Sequence, residues 1–177
     1  MKSSTSHKIK QRAKPKDVFI TPRELAKSHI DMIDTNPEEV WVDPCRYNEN
    51  GSYFSQFHNN KDWCEITEDK DFLCYDQKVD VICGNPPYSM LDKWFKKSIE
   101  LNPRVISYLI GINNLTARRM EWFTDAGYGL TKMKMLKVFS WYGMSILVVW
   151  EKGGEQIMEF DRTIWKNEND QPKGLID

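Results

Sequence analysis

Four consecutive residues at positions 85–88 carry the clearest chemistry in this sequence. Asn85, Pro86, Pro87 and Tyr88 follow directly on the apolar, β-branched segment 79–84. Prolines fix φ and lack an N–H donor, so we expect the carbonyls beside them to face no competing amide. The Asn85 side-chain oxygen and the Pro86 carbonyl oxygen are then two acceptors for one planar amino group.

Such a pair of acceptors suits the methylation of an aromatic amine. The lone pair of that amine is delocalised into its ring, and acceptors on both N–H hydrogens favour a more tetrahedral, electron-rich nitrogen as attack begins. Tyr88 would stack on the ring and hold the nitrogen in line with a sulfonium methyl group. The alternative is that the two prolines only end a strand and Tyr88 belongs to the core.

Asp43-Pro44 forms a second polar loop, which follows the short apolar segment 40–42. In open α/β sheets, ligands bind outside the carboxyl ends of the strands, near the point where the strand order reverses. Both loops leave predicted strands at such ends. We therefore expect Asp43 and Asn85 to lie at one edge of the same sheet.

Helices and strands alternate along the chain. Thr21 is a predicted helix N-cap with Pro22 in the first turn, Ser89 and Asp92 are predicted to cap a second helix, and residues 116–126 form a third. Strands are predicted at 40–42, 62–66, 79–84, 105–112, 133–141 and 145–150. The pattern predicts an α/β fold with a mostly parallel sheet, helices on both faces and a C-terminal antiparallel hairpin.

The length of 177 residues fits one globular domain, and the formal net charge is −1. Residues 1–16 contain six lysines and arginines and no acid, which predicts a flexible basic tail able to contact phosphates. We expect the folded domain at 17–152 and a peripheral C-terminal extension at 153–177.

Several classes of protein are disfavoured by the composition. No apolar run approaches the roughly 18–20 residues that cross a bilayer, and the N-terminus does not resemble a signal peptide, so a cytoplasmic protein is expected. The four cysteines and three histidines are scattered without metal-ligand spacing. We therefore expect reduced thiols and no metal site.

Residues 17–152 resemble the amino-methyltransferases, and most closely the DNA adenine-N6 methyltransferases whose cofactor motifs precede the catalytic one. Residues 85–88 match the catalytic tetrad of that family, which some RNA and protein-glutamine enzymes share. The resemblance implies a single Rossmann-like methyltransferase domain and S-adenosylmethionine as the cofactor. It also implies catalytic roles for Asn85, Pro86, Pro87 and Tyr88.

The resemblance extends to the segments expected to bind the cofactor. Asp43 would lie near its amino-acid end, Glu65 would hold the ribose hydroxyls, and Asp71 would accept the adenine amino group. The full implied set is Phe19, Thr21, Pro22, Asp43, Pro44, Cys45, Gly51, Glu65, Ile66, Asp71 and Phe72.

Two features depart from the family. The first cofactor loop is usually short with two glycines, whereas here residues 46–50 intervene and only Gly51 remains. In addition, no chain is left for a target-recognition domain, so sequence preference would come from loops, the basic tail or a recognition partner subunit, or would be lax. A homodimer is the other assembly considered. A duplex substrate would also require the base to be flipped out.

Nucleic acid is the expected partner, with DNA favoured and RNA possible. The alternatives are an RNA base methyltransferase, a protein-glutamine methyltransferase, and a non-catalytic binding module that kept only the fold.

Further candidates for packing against the target base are Phe139, Trp141 and Tyr142, and further candidates for phosphate contacts are Arg118 and Arg119. Hairpin packing and a solvated helix face are the respective alternatives.

Overall fold

A computed structural model describes residues 19–58, 60–137 and 144–161. These residues form one six-stranded sheet flanked by three α-helices. The strands are β1 (Trp41–Asp43), β2 (Lys61–Trp63), β3 (Val81–Gly84), β4 (Val105–Gly111), β5 (Tyr128–Leu136) and β6 (Ser145–Lys152). The helices are α1 (Arg23–Ile30), α2 (Leu91–Leu101) and α3 (Ala117–Asp125).

The strand order in the sheet is β2-β1-β3-β4-β6-β5. Strands β1 to β4 pair in parallel, whereas β6 is antiparallel to both of its neighbours. This arrangement confirms the predicted mostly parallel sheet with a C-terminal antiparallel hairpin.

Both faces of the sheet are buried along β1, β3, β4 and β6, as their apolar sequences require, whereas β2 is half-buried and the second half of β5 is exposed. Alternate residues of β3 belong to separate clusters: Ile82 packs with α2 and α3, and Val81 and Cys83 pack with α1. The larger cluster contains a stacked pair, Phe123 and Trp150, with ring centroids 4.2 Å apart. Helices therefore cover both faces, as predicted.

The helix starts differ from the predicted ones in two of three cases. Helix α1 has Pro22 at its N-cap with no side-chain capping bond, so the prediction of Thr21 as the cap is wrong. The hydroxyl of Thr21 instead accepts a hydrogen bond from Asn85. Helix α2 has Met90 at its N-cap, because a 3-10 turn, Tyr88–Met90, separates the Pro-Pro corner from the helix.

The second and fifth strands also differ from their predicted bounds. Strand β2 ends at Trp63, and Glu65 begins a 3-10 turn by accepting a hydrogen bond from the Thr67 amide. Strand β5 begins at Tyr128 rather than Met133, because its first residues pair with β6 near Lys152. The predicted turn at residues 142–143 lies outside the described residues, as do Phe139, Trp141, Tyr142, the basic tail and residues 162–177.

Within the described ranges, no helix is both long and apolar enough to cross a membrane.

The predicted third helix is confirmed as α3. The Thr116 hydroxyl accepts a hydrogen bond from the Arg119 amide at its start, and Gly127 follows its end with a φ of 80°.

A hydrogen-bonded histidine lies in the core between α1 and the sheet. His29 is fully buried, with Nε2 2.7 Å from the Ser107 hydroxyl and Nδ1 2.8 Å from the Tyr53 hydroxyl. The Ser107 hydroxyl donates its proton to the Val148 carbonyl, so towards His29 it can only accept, and His29 Nε2 carries the hydrogen. The other ring nitrogen, Nδ1, is then unprotonated and accepts a hydrogen bond from the Tyr53 hydroxyl. Burial of this neutral ring lowers the pKa of His29 to about 3.

That lowered pKa predicts a loss of stability in mild acid. In the unfolded chain His29 is protonated near pH 6.5, whereas in the folded chain it stays neutral. The contribution of the buried neutral ring to the free energy of unfolding is therefore lost as the pH falls from about 6.5 towards 3. We expect the free energy of unfolding to fall by about 2 kcal/mol between pH 6.5 and 5. Urea unfolding of the wild type and His29→Gln at both pH values measures this, and parallel losses in the two proteins would contradict it.

Candidate active site

The carboxyl ends of β1 and β3 meet where the strand order reverses. The chain passes from β1 to β2 on one side and returns to β3 on the other. Asp43 is the last residue of β1, and Asn85 follows the last residue of β3. A Cβ on Gly84 would lie 2.8 Å from the Pro44 ring, so the close approach of the two loops requires glycine there.

The Asn85 side chain is held from one side only. Its Nδ2 donates to the Phe19 carbonyl at 3.4 Å and to the Thr21 hydroxyl at 3.3 Å. A carbonyl oxygen can only accept, so this contact fixes the orientation of the amide. The Asn85 Oδ1 is then directed away from the segment 19–21, and this buried atom has no hydrogen-bond partner within the described part of the chain.

Two cavities adjoin this corner and share Phe19, Cys45, Tyr47 and Asn85 as lining residues. The smaller, of about 150 Å³, also contacts Asp43 and the loop that ends at Tyr53. The larger, of about 380 Å³, extends between Glu65, Asp71 and the start of α2. A hydrogen bond of 2.9 Å from Cys45 Sγ to the Asn85 carbonyl joins the two loops at this junction.

The structure brings most of the predicted site residues together. All of the implied cofactor residues except Pro22 line one of the two cavities, and so do Asn85 and Pro87. Pro86 and Tyr88 are not lining residues. The ring of Tyr88 instead packs against the core, 6.4 Å from that of Phe19, and burial raises the pKa of its hydroxyl to about 12.

Asp43 supplies a buried carboxylate to the smaller cavity. Its two oxygens accept hydrogen bonds from the amides of Cys45 and Phe54, both at 3.2 Å. Burial raises the pKa of Asp43 to about 7, although these two bonds favour the charged form. The carboxylate therefore takes up or loses a proton near neutral pH, and a bound cation would hold it ionised.

Two further acids and an apolar wall face the larger cavity. Asp71 uses Oδ1 to accept from the Leu73 amide, and Phe72 packs against Trp94 with ring centroids 5.3 Å apart. Both oxygens of Glu65 already accept hydrogen bonds, from the amides of Tyr47 and Thr67 and from the Thr67 hydroxyl. Ile66 remains 70% exposed at the rim.

Sequence reasoning missed several lining residues, namely Tyr47, Met90 and Trp94. Trp94 lies on the buried, apolar face of α2, and that face continues from the core into the cavity. Nothing in the composition distinguished Tyr47 from a surface residue. Among the described residues, no cluster of His, Cys, Asp and Glu could hold a metal ion.

No protein-family model matches the sequence, and no curated protein matches it. Solved structures do match the fold. TrmN from Thermus thermophilus aligns with a TM-score of 0.54 and 15% identity over 73% of this chain, although the chain spans only 48% of TrmN.

Two smaller neighbours align over more of their own length. A putative RNA methyltransferase from Pyrococcus horikoshii has a TM-score of 0.53 and 12% identity, covering 73% of this chain and 82% of its own. Magnesium protoporphyrin IX methyltransferase from Synechocystis, with bound SAH, has a TM-score of 0.52 and 12% identity, over 73% of this chain and 82% of its own length. The chain therefore has the Rossmann-like fold of methyltransferases.

Proposed function

We propose that the protein is an S-adenosylmethionine-dependent methyltransferase that modifies an exocyclic amino nitrogen, namely N6 of adenine in DNA. The observation that carries the proposal is the Asn85 Oδ1, a buried acceptor without a partner in the described ranges, at the junction of two cavities. A buried acceptor of this kind costs free energy unless a ligand supplies the donor.

The residues around the junction fit this cofactor. The buried Asp43 suits its positively charged amino group, and Asp71 offers its second carboxylate oxygen beside the apolar Phe72. Glu65 would accept from the ribose hydroxyls in exchange for some of its present donors. When bound, S-adenosylmethionine supplies an electrophilic methyl group on its sulfonium.

Asn85 and Pro86 act on the amine. The Asn85 Oδ1 accepts one N–H hydrogen, which keeps electron density on the nitrogen as its geometry becomes tetrahedral. The Pro86 carbonyl is the proposed acceptor of the second hydrogen, and because Pro86 lines neither cavity, that role requires a shift of the corner when the substrate binds. The hydrogen bonds that Asn85 Nδ2 donates to the Phe19 carbonyl and the Thr21 hydroxyl keep the Asn85 amide from rotating. The nitrogen then loses one proton to solvent, since the methylated, positively charged nitrogen is acidic. Tyr88 contacts the target ring only if its side chain leaves its packed position.

The chemistry alone admits other flat amines and amides. The RNA and porphyrin methyltransferases among the structural neighbours share the fold, so the fold does not decide the substrate. DNA adenine follows from the resemblance of residues 85–88 and of the cofactor segments to that family, and the basic residues 1–16 are the proposed phosphate contact. RNA is the second candidate because of the neighbouring putative RNA methyltransferase.

Labelled-methyl transfer to DNA, RNA and protein, followed by mass spectrometry of the nucleosides, tests the substrate. We expect N6-methyladenine in DNA. Label only in RNA or in a protein glutamine would overturn the DNA assignment and leave amino-methyl transfer in place. Calorimetry with S-adenosylmethionine tests the cofactor, and no binding at millimolar concentration would identify a non-catalytic module.

A further inference from the structure

Tyr47 has an uncommon backbone conformation beside the candidate site. Its φ is 71°, in the left-handed region. In the ranges that the structure describes, two other non-glycine residues, Asp69 and Asn102, have positive φ, but both terminate helical turns and belong to types that tolerate this region. A bulky aromatic residue does not, so another interaction must maintain the conformation.

Core packing does not provide that interaction. The Tyr47 side chain is 48% exposed, yet it lines both the smaller and the larger cavity. It shares the smaller cavity with Asp43 and the larger cavity with Glu65. The strained residue is therefore placed where a ligand spanning the two cavities would touch it.

The residues on either side fix the backbone of Tyr47. Arg46 is buried, binds both oxygens of Glu68 at 2.8 Å, and stacks with its guanidinium carbon 3.5 Å from the Trp63 ring centroid. A Cβ on Gly51 would lie 2.3 Å from the Arg46 carbonyl, so only glycine permits this turn.

The Tyr47 amide itself donates to Glu65 Oε2 at 2.8 Å. Because the backbone is held at Arg46, at Gly51 and at the Tyr47 amide, the direction of the Tyr47 Cα–Cβ bond is set before any ligand binds.

We propose that Tyr47 is a cofactor-binding residue whose ring covers S-adenosylmethionine where the two cavities join. This inference rests on the proposed function and deepens it. The ring offers an apolar face and a negative π surface to the cationic, partly apolar centre of the cofactor. It also gives the inserted loop 46–50 a role in place of the second glycine expected there.

Two substitutions separate this role from a structural one. Tyr47→Asn removes the ring but tolerates the left-handed conformation, and Tyr47→Phe keeps the ring. By calorimetry, we expect Tyr47→Asn to weaken binding of S-adenosylmethionine about tenfold and Tyr47→Phe to stay within about twofold of the wild type. The melting temperature of unliganded Tyr47→Asn should equal or exceed that of the wild type, because strain is relieved.

Wild-type affinity in Tyr47→Asn would overturn this inference alone, while binding by the wild type itself would still support the proposed function. A wild type that binds no S-adenosylmethionine would overturn both. A lower melting temperature in Tyr47→Asn would show that the ring supports the fold instead, which also contradicts the inference.

Discussion

Asn85→Ala is expected to lower the rate of methyl transfer sharply while leaving the cofactor bound. The substitution removes the buried Oδ1 acceptor, which would bind the amine more tightly as charge develops on its nitrogen. Loss of a single group of this kind lowers kcat by about 100-fold to 1000-fold. Single-turnover transfer to DNA and calorimetry with S-adenosylmethionine measure the two effects separately.

The variant also loses the bonds from Asn85 Nδ2 to Phe19 and Thr21, so its melting temperature must be measured alongside. Asn36→Ala is a matched control, because Asn36 caps a surface turn and lines neither cavity. We expect Asn36→Ala to turn over like the wild type. Unchanged turnover in folded Asn85→Ala would remove the site assignment altogether.

The second large effect is expected at Asp43, where Asp43→Ala should weaken cofactor binding about 100-fold. The side chain is the buried carboxylate of the smaller cavity, and loss of one partner from a desolvated charge pair is costly. Asp34→Ala, at an exposed acid paired with Lys132, is the matched control. Equal affinity in Asp43→Ala and Asp34→Ala would contradict the prediction.

The raised pKa of Asp43 adds a pH signature to that prediction. With a pKa of about 7, the carboxyl is mostly protonated in mild acid and cannot pair with a cation. Wild-type affinity for the cofactor should therefore rise as the pH increases from 6 to 8. Asp43→Asn should lack this dependence, and a flat wild-type profile would argue against the pairing.

The raised pKa of Asp43 changes the pH dependence of stability in the opposite direction to the lowered pKa of His29. In the unfolded chain Asp43 loses its proton near pH 3.8, whereas in the folded chain it loses it near 7. Its contribution to stability is consequently present at low pH and is lost as the pH rises from about 4 to 7. A bound cation that keeps Asp43 ionised would reduce this loss.

Much of the fold could be predicted because the apolar segments have lengths and β-branched content typical of buried strands. The helix caps were less predictable. Thr21-Pro22 has the local pattern of a helix start, but the Thr21 hydroxyl accepts a hydrogen bond from Asn85, which is 64 positions away in the chain. Local sequence carries no record of such a partner, so tertiary structure overrides the capping preference.

The candidate site was predictable where single side chains follow strand ends, as Asp43 and Asn85 do. It was not predictable where backbone conformation decides the role. Tyr47 has a positive φ because Arg46 and Gly51 pack against each other, and a sequence of polar and aromatic loop residues does not reveal this contact. The packed position of Tyr88 is one of the two alternatives that the sequence leaves open, because the neighbours that decide it come from the core and from Phe19.

Strand β6 lies between β4 and β5, although it follows both in the chain. During synthesis on the ribosome, β4 can therefore pair only with β3, and β5 has no partner strand in the sheet, until β6 has emerged up to residue 152. Contacts between segments so distant in sequence slow folding. A nascent chain arrested before β6 would leave both strand edges open, and we expect it to need chaperone protection against aggregation.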